Sequence, residues 1–288
     1  MSAPTTTSLT PVESLGVLLR ALRLPAFARY AVDVAQTAER EGWTYGRYLH
    51  HLAEIEVEER RQRRIERLLR ASNLPSEKTL ATLDRKRLPA KVQAALATLC
   101  EGHFLARAEN VLAFGLPGRG KTHLLCAIGH HLVTQGHSVL FVPTFALVQQ
   151  LLAAKRDLRL EKALTALDRF DAVLLDDIGY VQQSREEMEV LFTFLAQRYE
   201  RKSVMITSNL VFSAWDRIFK DPLTTAAAID RLVHHASIIE MNGNSYRKEA
   251  AEARGAQTRT TTTAATTTAT TTTTDLDHES GQEIHGEV

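Results

Sequence analysis

Apolar positions recur at two different periods along this chain, and the change of period divides it. From Thr10 to Asn73 the spacing is helical. Leu15, Leu18, Leu19 and Leu22 form one stripe, which Pro25 is expected to end. Phe27, Tyr30, Ala31, Val34 and Ala38 continue at helical spacing to Gly42. Tyr45, Tyr48, Leu49, Leu52 and Ile55 open a third helix, which runs on into a highly charged segment. Nothing in this stretch alternates as a strand does. Pro75 and Pro89 bracket a segment without clear periodicity, and a helix from Lys91 to about Leu99 follows it.

Beyond that point short apolar runs alternate with helical stripes. Val111–Phe114, Ser138–Val142, Asp171–Leu175, Ser203–Thr207 and Ser237–Met241 read as five strands. Leu124, Leu125, Ile128 and Leu132 mark the helix after the first strand, which Gly136 ends as a C′ glycine. Phe145, Leu147, Val148, Leu151 and Leu152 mark the next helix, and Met188, Leu191, Phe192, Leu195 and Tyr199 another. Apolar strands alternating with helices predict an α/β fold with a mainly parallel sheet covered on both faces. The expected organisation is a helical domain over 10–74, a linker over 75–90 and an α/β domain over 91–248. The ends, 1–9 and a threonine-rich tail over 249–288, lack apolar periodicity and are expected to be disordered.

The first strand breaks into Gly115, Leu116, Pro117, Gly118, Arg119, Gly120, Lys121, Thr122, which fits G-x-x-x-x-G-K-[ST]. Strand, glycine loop, helix is the context that makes this motif a phosphate site. A triphosphate needs many inward N–H donors, and glycine lets the backbone wrap that closely. The helix from Lys121 adds its positive end. Lys121 is expected on the β- and γ-phosphates and the Thr122 hydroxyl on Mg²⁺; His123 closes the set of nucleotide contacts. The implied cofactors are ATP and Mg²⁺.

The third strand ends in Asp176 and Asp177. An apolar run followed by carboxylates is the Walker B pattern, with Asp176 in the Mg²⁺ shell and Asp177 polarising the attacking water. The fourth strand ends in Thr207, Ser208 and Asn209. Ligands bind at the carboxyl ends of parallel strands, so these ends should share one crevice. Asn209 there either orients water beside the γ-phosphate or serves as a turn or cap residue before Phe212.

Composition adds little until it is read locally. The 288 residues are 44% hydrophobic and 24% charged with a net charge of +1, ordinary for a globular protein. Cys100 and Cys126 form no disulfide framework, and Cys126 reads as a core thiol. No secretory signal or spanning apolar run is present, so a cytoplasmic protein without membrane contact is expected. Arg60 to Lys91, however, carries eleven basic residues against three acids. That excess favours a polyanion, with Arg60, Arg61, Arg63, Arg64 and Arg67 as candidate DNA contacts. The plainer reading is a solvated helix face with i,i+4 pairs such as Glu59–Arg63. No aromatics interleave the arginines, so single-strand stacking is not indicated.

GLPGRGKTHLL, VLLDDIGY, ITSNLVFSAWDRIF and AAIDRLVHHASIIEMNGNSYR resemble the IstB-like AAA+ ATPases, helpers of insertion-sequence transposition related to the DnaC helicase loaders. LRLPAFARY, the GWTY segment, EERRQRRIERLLRA and EKTL extend the resemblance over about residues 9 to 248. It implies an AAA+ core with strand order 5-1-4-3-2 behind an all-helical domain. It also implies an ATPase that forms ATP-dependent homo-oligomers on double-stranded DNA and recruits or activates a cognate transposase. A DnaC-like helicase loader is the alternative, and a small-molecule kinase would need an acceptor site and lid that are not evident. By position Asn209 matches the sensor-1 asparagine and Arg231 the arginine offered in trans to a neighbour's ATP. Otherwise Arg231 is a surface helix arginine paired with Asp230 or nearby acids. The family usually ends its Walker B strand in Asp-Glu, whereas this chain has Asp-Asp, which draws the second carboxylate back by one methylene.

Overall fold

A computed structural model of the chain describes residues 11–179, 184–210, 214–215, 222–242 and 245. Both expected disordered ends lie outside the described residues. Helices α1 (Pro11–Ala21), α2 (Pro25–Arg40) and α3 (Tyr45–Ser72) come first. Proline 25 does not end the first helix as its position suggested. The helix stops at Ala21, Arg23 turns the chain with φ +57°, and Pro25 opens α2, where its missing N–H costs nothing. Thr44 caps α3 by accepting from the Arg47 N–H at 3.3 Å, and Asn73 closes it in the left-handed conformation.

After a 3₁₀ turn (Arg85–Arg87) come α4 (Ala90–Cys100), α5 (His103–Ala106), β1 (Asn110–Phe114), α6 (Lys121–Thr134), β2 (Val139–Pro143), α7 (Thr144–Arg156) and α8 (Leu160–Leu167). Then follow β3 (Ala172–Asp176), α9 (Arg185–Arg198), β4 (Ser203–Ser208), α10 (Pro222–Val233) and β5 (Ala236–Glu240). All neighbouring strands are parallel, in the order β2-β3-β4-β1-β5. This is the expected 5-1-4-3-2 order viewed from the other side. The short helices α5 and α8 have no counterpart among the predicted elements. Each is too brief for periodicity to show.

Strand side chains alternate between two cores, as a period of two requires. Val111, Ala113, Leu174 and Met205 face a layer made by α4, α6 and the end of α3, while Leu112, Phe114, Leu175 and Ile206 face α7, α8, α9 and α10. Helix α6 ends in a Schellman turn: the Gly136 N–H reaches the Val133 carbonyl at 2.9 Å and the His137 N–H the Leu132 carbonyl at 3.0 Å. Arg198, buried at the end of α9, ties the strand entries together. It donates to the carbonyls of Leu167 (3.1 Å), Phe170 (3.0 Å) and Ser203 (2.9 Å), and burial lowers its pKa to about 10. Burial likewise pushes the Cys126 thiol to about 12, which fits an inert core residue.

The helical N-terminal region is fastened to this core. Ile65 and Leu68 of α3 pack into the α6 layer, and the Arg64 guanidinium donates to the Gly136 carbonyl at 3.1 Å. Residues 75–90, expected as a linker, lie against α6. The His130 imidazole meets the Pro75 carbonyl at 2.9 Å, and Leu80, Leu83 and Leu88 join the same core. That contact sets up the site.

Candidate nucleotide-binding site

The loop between β1 and α6 is shaped by its neighbours. The Met241 N–H donates to the Phe114 carbonyl at 2.8 Å, which brings the end of β5 against Gly115. A Cβ at Gly115, whose φ is +148°, would stand 2.6 Å from the Met241 carbonyl oxygen. Only glycine fits. Gly120, at φ +84°, caps α6 and leaves the first N–H groups of that helix facing outward.

Under the loop lies a cavity of about 410 Å³, within the usual range for a small-molecule site. Pro117 through His123 line one side, with Asp177, Thr207 and Asn209 beside them. Gly115 and Leu116 shape the loop without lining the cavity, and Leu116 is exposed. A second wall is made by Lys78, Thr82, Leu83, Asp84, Arg87 and Leu88, while Met241 lines the cavity beside the loop. Sequence reasoning missed this wall. The leucines of 75–90 have no period, and nothing in the local sequence says that they turn toward the loop. His123 fastens the two walls, its Nε2 lying 3.1 Å from the Thr82 hydroxyl and 3.3 Å from the Thr79 carbonyl.

The strand ends converge as expected. The Thr122 hydroxyl donates to Asp176 Oδ1 at 2.7 Å, and the Thr207 hydroxyl donates to the same oxygen at 2.7 Å. Thr207 in turn accepts from the Asp177 N–H at 2.8 Å. This holds Asp177 in the left-handed conformation, φ +61°, at the cavity edge. Lys121 is 8% exposed, and its ammonium donates to the carbonyls of Gly115 (2.7 Å) and Leu116 (3.1 Å). Thr122 and Asp176 form a hard-oxygen pair of the kind that suits Mg²⁺. Asn209 Oδ1 is buried and has no hydrogen-bond partner, in a residue that lines the cavity. An unpaired buried acceptor is a cost that this stretch of the wall carries, and it calls for an explanation.

Arg231 does not line this cavity. Its guanidinium lies 4.7 Å over the Phe192 ring, and Nη1 is buried without a hydrogen-bond partner. Among the described residues it makes no ion pair with Asp230 or another nearby acid.

The basic segment is more neutralised than its charge count suggested. Arg60 Nε pairs with Glu56 at 2.8 Å, and Arg61 lies 3.6 Å from Glu58. Arg63 pairs with Glu59, and Arg64 is committed to Gly136. Among the described residues Arg67 is exposed and makes no ion pair. Glu56 is itself buried at the start of α2, accepting from the Ala26 N–H at 2.7 Å and the Phe27 N–H at 3.4 Å. Burial works to raise its pKa, but Arg60 and these two N–H groups outweigh it and hold the carboxyl below its ordinary value.

No helix among the described residues is long and apolar enough to cross a membrane. A family model for IstB-like ATP binding proteins matches residues 17–253. An insertion-sequence ATP-binding protein of Sinorhizobium fredii is 47% identical over 238 residues, 82% of this chain and 80% of that protein. The IS21 insertion-sequence ATP-binding protein of Pseudomonas aeruginosa is 35% identical over 248 residues, 86% of this chain and 94% of that protein. Among solved structures, DnaI aligns with a TM-score of 0.50 at 22% identity, over 59% of this chain and 96% of that chain. The replication initiator DnaA bound to AMPPCP and single-stranded DNA aligns with a TM-score of 0.51 at 17% identity, over 60% and 52%. These two likenesses are of fold, and the fold they share with this chain is the AAA+ P-loop core.

Proposed function

This chain belongs to the family of IstB-like ATP-binding proteins, and on that premise we propose that it is a Mg²⁺-dependent ATPase of DNA transposition. It assembles on double-stranded DNA in the ATP state and there engages the transposase of its own insertion sequence. The observation that carries the nucleotide part is the 2.7 Å hydrogen bond between Thr122 and Asp176, which joins the loop to the third strand beside Lys121.

In this reading Lys121 exchanges its two loop carbonyls for phosphate oxygens, while the α6 N-terminus adds N–H donors. Mg²⁺, held by Thr122 and Asp176, would neutralise phosphate charge when bound. Asn209 Oδ1 accepts a hydrogen bond from the attacking water and so orients it. Asp177 polarises that water and takes up its proton. The carboxylate is one methylene shorter than the family's usual glutamate, which favours slow turnover over loss of binding. Arg231 lies outside its own subunit's cavity, and stacking on Phe192 pre-positions its guanidinium for a neighbouring subunit's γ-phosphate. Assembly then multiplies the weak DNA contacts of each α3, with Arg60, Arg61, Arg63, Arg64 and Arg67 as the candidate residues.

Relatives at 47% and 35% identity are insertion-sequence proteins, which supports transposition over helicase loading. The likeness to DnaI is one of fold alone. The test is phosphate release and sedimentation, each with and without ATP. Wild type should hydrolyse ATP and sediment as an oligomer in its presence. Arg231→Ala should bind ATP yet stay unassembled. An Arg231→Ala protein that assembles normally removes the subunit-bridging role.

A further inference from the structure

Four arginines from two separate parts of the sequence line one open cleft on the helical region. Arg20 and Arg23 come from the end of α1 and the turn after it, and Arg60 and Arg63 from the middle of α3. Leu24 and Pro25 complete the lining, and the cleft has a volume of about 420 Å³. We propose that this cleft is a phosphate seat for the backbone of double-stranded DNA, with Arg20 and Arg23 as its principal contacts. The proposal rests on the DNA-binding reading above and moves the decisive contacts to residues that reading did not include.

The charge balance points there. Among the described residues the acids that pair with the lining arginines are Glu56 and Glu59, and both have other partners as well. Glu56 holds Arg60 and the first N–H groups of α2, and Glu59 is shared between Arg63 and Arg29 at 3.2 Å. Five arginines therefore meet two carboxylates. Arg20 and Arg23 are exposed and make no ion pair or hydrogen bond through their side chains among the described residues.

The geometry also suits phosphate. Arg60 is fixed from two sides, by Glu56 and by the carbonyl of Arg23, to which its Nη2 donates. It still leaves its side chain 51% exposed, as Arg63 leaves 45%. A guanidinium oriented in advance loses little freedom on binding, and its planar fork matches phosphate oxygens. The same hydrogen bond ties the Arg23 turn to α3, so both pairs of arginines are held at one place. The open shape fits a continuous backbone passing across it rather than an enclosed small anion.

The experiment is equilibrium binding of a mixed-sequence DNA duplex by the full chain at fixed ATP and Mg²⁺, from about 50 to 200 mM salt. Three proteins are compared: wild type, Arg20→Gln/Arg23→Gln, and a charge-matched Arg40→Gln/Arg107→Gln control on other faces. Loss of two phosphate contacts should lower the slope of log K against log salt by about 1.8 and weaken low-salt affinity at least about tenfold. ATP affinity and melting temperature should not change in either variant. If the cleft variant keeps the wild-type slope while wild type binds DNA, the cleft is wrong and the DNA reading stands. Equal weakening of the control means that net charge alone is felt, which also overturns the cleft. If wild type binds no duplex, the DNA reading itself fails. Anionic phospholipid vesicles serve as a second arm, because exposed Leu15 and Leu18 lie on the same helix as Arg20 and exposed Leu22 just beyond its end. Cleft-dependent binding to vesicles but not to duplex would reassign the seat to lipid headgroups and overturn the proposal.

Discussion

Replacing Asn209 with leucine should make the protein more stable and less active at once. The side-chain amide has a buried Oδ1 with no partner, packed so closely that a Cβ on Gly179 would stand 2.6 Å from it. A buried acceptor without a donor costs about 1–3 kcal/mol relative to a satisfied one. Leucine has nearly the shape of asparagine and removes that acceptor, so about 1 kcal/mol should be recovered after allowing for imperfect packing. For a folded region of this size that is a rise of about 2–4 °C in melting temperature. The same change removes the group proposed to orient the attacking water, which should slow ATP turnover about 10- to 100-fold with ATP affinity little altered. Differential scanning fluorimetry without nucleotide and steady-state phosphate release give the two readouts. A fall in melting temperature with normal turnover would mean that Asn209 is a structural turn residue, and the reasoning from its open acceptor would be wrong.

Other outcomes follow from single contacts. Glu56→Ala leaves the Ala26 and Phe27 N–H groups and Arg60 without their acceptor and should cost about 1.5–3 kcal/mol, read from chemical denaturation. Because the Glu56 carboxyl is held below its ordinary pKa in the fold, its contribution is complete above about pH 4.3, the unfolded value, and is lost as pH falls through the folded one. Wild type should therefore lose stability over that acid range more steeply than Glu56→Gln. An identical acid limb in the two proteins would contradict the assignment. Asp177→Asn should keep ATP affinity within about twofold and slow hydrolysis at least about tenfold, measured by calorimetry and phosphate release. Gly115→Ala should cost at least about 1–3 kcal/mol of stability through its positive φ, before the clash with Met241 is counted.

How much of this was legible in the sequence depends on how local each signal is. The glycine loop, the strand acids and the parallel sheet could be read because their spacing is set by one strand and one helix. The meeting of Thr122 with Asp176 followed from the rule that parallel strands end at one crevice. The second cavity wall could not be read, because Thr82 and Leu83 reach the loop only through α6 contacts made across the fold. Pro25 misled for a related reason: proline ends one helix and opens another equally well, and the deciding feature is the Arg23 turn before it. The basic count misled because its window began at Arg60. The acids that neutralise much of it, Glu56, Glu58 and Glu59, sit one turn earlier on the same helix.

The central claim is that ATP occupies the cavity through Lys121 and the Thr122–Asp176 pair. It is tested most directly by calorimetric titration of ATP, with and without Mg²⁺, into wild type, Lys121→Ala and Asp176→Asn. Wild type should bind, and more tightly with Mg²⁺. Lys121→Ala should lose about 1.5–3 kcal/mol, at least about tenfold, in both conditions, whereas Asp176→Asn should lose chiefly the Mg²⁺-dependent part. Binding that is identical in all three proteins, or absent from wild type, would contradict the account.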